Sequence, residues 1–147
     1  MLALLAVAVV VVGALLAIQP LLNFRVAVAA GHAIYGAMFS VTVSTITMLV
    51  AALVMRLERP DLRAVFDGPA WTWVGGVIGA FVVLTALTAT PRLGAATTVA
   101  LFIAGQLAAS LLLDHFGWLG VPVQPIGPMR LLGVGCLLAG VILIRNF

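Results

Sequence analysis

The sequence predicts an all-α integral membrane domain with five transmembrane helices, and three observations carry that prediction. Hydrophobic residues make up 65% of the 147-residue chain and charged residues only 7%, against roughly 25% charged in an ordinary soluble domain. Mean hydropathy is +1.32. The apolar residues fall into unbroken runs, such as LALLAVAVVVVGALLAI over residues 2–18, where a strand of a membrane β-barrel would alternate polar and apolar positions. Seven basic and four acidic residues are too few to cover a water-soluble surface. The composition therefore excludes a soluble globular protein, a nucleic-acid binder and a disordered chain. A spanning helix needs about 20 apolar residues, so the length holds five spans in one small domain and leaves almost nothing to connect a sixth.

The first span is expected over about Leu2 to Leu22. No Lys or Arg precedes Arg25, and the apolar run is too long for the core of a signal peptide. Gln19 and Pro20 are expected to disturb the end of this helix, because proline lacks a backbone donor. The second span is expected over His32 to Met55, followed by RLERPDLRAVFD from Arg56 to Asp67. Three Arg, three acids and a central Pro60 place that stretch in water. The third span is expected over Pro69 to Ala89, with Trp71 and Trp73 at its entrance, where indoles mark the headgroup level. Pro91 and Arg92 are expected to interrupt the chain before the fourth span, Leu93 to Leu113. Asp114 to Met129 reads as a loop rich in Gly and Pro, and the fifth span runs from Arg130 to about Ile144. Arg130 and Arg145 can snorkel to opposite interfaces from its ends. Lipid offers backbone groups no partners, so each span must be a helix.

Five spans divide the arginines almost evenly. Arg56, Arg59, Arg63 and Arg130 fall on one side, and Arg25, Arg92 and Arg145 on the other. Orientation follows the Lys/Arg excess in cytoplasmic loops, and four against three is almost no excess. One reading is a single orientation weakly set by the 56–67 loop. The other is dual insertion, with the chain pairing with an inverted copy of itself or an inverted sister chain. A small unit with an odd number of spans is what half of an inverted-repeat (antiparallel) transporter fold looks like.

Polar and small residues mark the candidate functional positions. Gly36, Ser40 and Ser44 are spaced by four on the second span, and Gln19 and Asn23 by four on the first. Gln19 and Asn23 either satisfy the helix around Pro20 or line a pathway. Gln106 is mid-span, where a carboxamide facing lipid is costly. It either bonds across a helix interface or lines a substrate cavity, and Ser110 and Asp114 share its face. Gly36, Gly75, Gly79 and Gly133 are read as helix-packing positions, since small residues let backbones approach in lipid. Asp114 and His115 form either a proton-carrying pair or a helix end at the interface, where His favours the C-terminal dipole. Phe116-Gly117 favours the second reading. No Asp, Glu or Lys lies near the centre of a span. HExxH, GxSxG, Walker and Cys/His patterns are all missing, and Cys136 is the single cysteine. Neither enzyme activity, a metal nor a cofactor is expected.

Several segments taken together resemble a known family. They are Gln19-Pro20 with Asn23, Gly75 to Ala80 (GGVIGA), Pro91 to Ala96 (PRLGAA), Gly105-Gln106, Asp114 to Gly117 (DHFG) and the final RLLG…AGVILI. This pattern resembles the small YdcZ-type membrane proteins of the drug/metabolite transporter superfamily, over essentially the whole chain. The resemblance implies a five-helix exporter of the bacterial inner membrane that acts as an antiparallel pair, longer relatives being two fused inverted halves. The related small multidrug resistance proteins carry a glutamate in their first helix. The first span here has no acid, so their proton-coupled antiport of organic cations is not implied.

Two functions follow as expectations. One is a secondary transporter exporting small polar metabolites by alternating access as an antiparallel dimer. The other is a non-transporting subunit that pairs with and stabilises another membrane protein. In either case the partners are the lipid bilayer and a second chain, and the first adds an unidentified small molecule. The arginine balance gives a direct test. Adding two Lys to the 56–67 loop is expected to drive every molecule to one orientation, with that loop cytoplasmic. Reporter fusions at the C-terminus would then shift from mixed to single-sided signal.

Overall fold

The computed structural model describes residues 2–146. Among the described residues there are five helices long and apolar enough to cross a membrane and no strand, so the protein is an all-α membrane protein. Helix α1 spans Leu2–Ala30 and α2 spans Ala33–Val54. A short α3, Leu62–Phe66, and a 3₁₀ turn, Ala70–Trp73, lead into α4, Val74–Leu93. Helices α5, Ala95–Phe116, and α6, Pro128–Asn146, complete the chain.

Pro20 does not end α1, which runs past the expected Leu22 to Ala30. Proline removes one hydrogen bond, and spanning helices tolerate that loss because neighbouring elements re-satisfy the freed group. Arg25 therefore lies within α1 and not in a turn. A 29-residue helix is about 44 Å long at 1.5 Å per residue, against a hydrocarbon core of about 30 Å. That length lets the Arg25 end reach the headgroups. The turn falls at Gly31 and His32. His32 caps α2, its Nδ1 accepting from the Ile34 N–H at 3.2 Å.

The polar stretch after α2 contains α3, capped by the Asp61 carboxylate, which accepts from the Ala64 N–H at 3.0 Å. Its Arg63–Asp67 pair, 3.6 Å apart and largely in solvent, contributes little to stability. Phe66 stacks on Trp73 with centroids 5.4 Å apart. Pro91, too, is accommodated inside a helix. The break expected there falls at Gly94, whose φ of +87° is a conformation glycine takes without strain. Helix α6 starts at Pro128, two residues before the expected Arg130, because proline suits the first helical position, where no N–H is needed.

The chain forms two compact units that divide at Pro91 and Arg92. In the first, α1 packs along α2. Their seam closes at Gly36, where an added Cβ would lie 2.6 Å from the Ala27 Cβ and 2.7 Å from the Asn23 carbonyl oxygen. In the second, α5 packs along α6. Buried apolar side chains among the described residues are Ala27, Ala86, Leu87 and Val141, while Leu4 and Val10 are 75% and 73% exposed. An apolar exterior with so small a core is stable only with lipid or another chain as its solvent.

The seam predicts opposite outcomes for two glycines. Gly36→Ala is expected to destabilise the α1–α2 pair by about 1–3 kcal/mol through overpacking. Gly75→Ala, whose Cβ would meet nothing within 4 Å, is expected to be neutral or stabilising by up to about 1 kcal/mol from helix propensity. Thermal unfolding in detergent, followed by circular dichroism, would register a fall in Tm for the first and none for the second.

Candidate functional site

The polar residues of α1 and α2 come together in the first unit. Gln19 and Asn23 lie one turn apart on α1, and Ser40 and Ser44 one turn apart on α2. All four line a cavity of about 240 Å³ together with Leu22 and Phe39. A larger open cleft of about 550 Å³ shares Gln19, Ser40 and Ser44 and is bordered on its other side by Gly76 and Gly79 of α4. An apolar groove of about 490 Å³ lies between α2 and α4, lined by Ile34, Met38, Val41, Phe81 and Leu84.

Close approach at Gly36 sets the geometry of the polar cavity. The Asn23 Nδ2 donates to the Ser40 Oγ at 3.0 Å, and Ser40 is buried. The Ser44 hydroxyl donates to the Ser40 carbonyl oxygen at 2.9 Å. Thr45 and Thr47 do the same toward Val41 and Val43, so these hydroxyls are satisfied by their own helix. The Gln19 carboxamide is half-buried, lines both cavities, and bonds to no described residue. Ser44 sits at the centre of α2, so the cavity lies at membrane depth.

The α5 candidates belong to the second unit. Gln106, at the centre of α5, is exposed, and the Ser110 hydroxyl donates to its backbone carbonyl at 2.7 Å. Its side chain bonds to no described residue. Added Cβ atoms at Gly79 and Gly133, as at Gly75, would meet nothing within 4 Å. Gly36 is the glycine of the four that packs within the chain.

Asp114 and His115 are engaged by the loop that follows them. The Arg130 Nη1 lies 3.2 Å from the Asp114 Oδ2, and Arg130 also donates to the Gln124 side chain. The Gln124 N–H donates to the Asp114 carbonyl at 2.8 Å. His115 Nδ1 accepts from the Ile126 N–H at 3.2 Å. Together these contacts clasp residues 117–127 to the end of α5. Sequence reasoning placed Arg130 as an interfacial anchor and did not single out Gln124. The available signal was the opposite charge of Asp114 and Arg130 at the two ends of one Gly/Pro-rich loop.

The family model described as "Putative inner membrane exporter, YdcZ" matches residues 4–143. The chain is similar to the inner membrane protein YdcZ of Escherichia coli (strain K12), with 40% identity over 60 residues. That alignment covers 40% of this chain and 40% of the relative, less than half of either. No solved structure matches the chain.

The clasp is a partly solvated ion pair supported by backbone hydrogen bonds. Arg130→Ala is expected to speed amide hydrogen exchange at Gln124 and Ile126 by about fivefold, a local loss of about 1 kcal/mol. Exchange within α1 and α2 is expected to be unchanged.

Proposed function

The chain belongs to the YdcZ family of inner membrane proteins, and we propose that it exports small polar metabolites by alternating access as an antiparallel pair of chains. The observation that carries this reading is the α1–α2 cavity. Gln19, Asn23, Ser40 and Ser44 gather their carboxamides and hydroxyls along one cleft at membrane depth. Polar side chains are costly against lipid and mark pathways when they line a shared cavity. A polar solute crossing the bilayer needs such a lining.

Pairing with an inverted chain is supported by the near-equal arginine count and by the open glycines of α4 beside the cleft, since small residues admit a close neighbour in lipid. A pathway closed by an inverted partner is the arrangement that alternating access uses.

Water access to the cavity tests the proposal. In a Cys136→Ser background, Ser44→Cys in native membranes is expected to be modified by a water-soluble thiol reagent. Complete inertness of that cysteine, with Cys136 replaced and the protein folded, would mean a dry interior and a non-transporting subunit.

A further inference from the structure

We propose that the α1–α2 cavity selects electrically neutral solutes that carry an amide or hydroxyl head on an apolar body. The proposal deepens the transport reading, on which it rests only for calling the occupant cargo.

The hydrogen-bonding inventory of the cavity is uncharged and two-sided. Asn23 spends one N–H on Ser40, which leaves its second N–H and its carbonyl oxygen. Ser40 accepts that bond and keeps its own O–H to donate. Ser44 donates to its own helix and keeps lone pairs to accept. Gln19 bonds to no described residue and offers both a carbonyl and an NH₂ group. A free carboxamide pairs in two-point fashion with a group that also donates and accepts, such as an amide, a urea or a vicinal diol.

No ionisable residue lines either of the cavities that Gln19 shares. Arg25, the nearest charge along α1, lies six residues beyond Gln19 and two beyond Asn23. At about 100° per residue it projects well away from their common face, and it lines neither cavity. An ion entering here would shed water without meeting a counter-charge, which is strongly unfavourable at membrane depth. The remaining wall is apolar: Leu22, Val26, Phe39 and Val43 surround the smaller cavity, and Met48 and Leu49 extend the larger one. They match an apolar body behind the polar head.

Three ligands of nearly one shape and different charge test this: benzamide, benzoate and benzamidinium. Binding to the full chain in nanodiscs, read by saturation-transfer NMR titration, is expected for benzamide. The two ions are expected to bind about tenfold or more weakly. Gln19→Leu is expected to weaken benzamide about tenfold. Gln19→Glu, nearly the same shape, is expected to transfer the preference to benzamidinium, which a merely structural Gln19 would not do. Gln19-dependent binding of an ion as tight as that of benzamide would overturn the neutral class while leaving the site in place. Binding that ignores Gln19, or no binding of any of the three at millimolar concentration, would overturn the site itself. Failure of the transport reading is separate: ligand would bind as expected, and Ser44→Cys would stay inert to water-soluble reagents.

Discussion

Lipid offers no hydrogen-bond partner, so every polar group carried into the bilayer must find one on protein, on water or on a bound solute. That constraint shapes the contact between α1 and α2. Gly36 has no side chain, and the Ala27 methyl group and the Asn23 carbonyl oxygen fill the space a Cβ would need. Because the two helices approach so closely, the Asn23 amide reaches the Ser40 hydroxyl. A larger residue at Gly36 would move the helices apart and strand both groups.

The same constraint sorts the remaining polar side chains by how they are satisfied. Thr45, Thr47, Thr88, Thr98 and Ser110 turn back to carbonyls of their own helices and need nothing else. Asn23 and Ser40 satisfy each other across a helix seam. Gln19 and Gln106 do neither. A carboxamide without an internal partner in a span has to face water, a solute or another chain. Gln19 lines the cavity that it shares with Asn23, Ser40 and Ser44, and the proposed pathway rests on that lining.

Much of this was legible in the sequence. Runs of apolar residues located five spanning helices, and the four-residue spacings placed Gln19 with Asn23 and Ser40 with Ser44. The prolines misled, because the rule that proline ends a helix describes water-soluble chains. Pro20 and Pro91 sit inside α1 and α4, and the actual break at Gly94 needed a positive φ that no residue count reveals. The pairing of α1 with α2 was not legible either: periodicity shows which residues share a face, not which face meets which. The clasp around Asp114 escaped for a similar reason. Gln124 and Arg130 reach it only because the loop folds back on the end of α5.

The account stands on Gln19 being hydrated at membrane depth. The chain has three glutamines, Gln19, Gln106 and Gln124, so selective labelling of glutamine side chains gives a simple spectrum. Magnetisation transfer from water to these amides, measured by NMR on the protein in bilayers, reads hydration residue by residue. Gln124, in the loop, provides the wet reference. The account predicts strong transfer to Gln19, comparable to that of Gln124, and its loss when a solute occupies the cavity. A Gln19 amide that receives no transfer from water while Gln124 gives its full signal would contradict it.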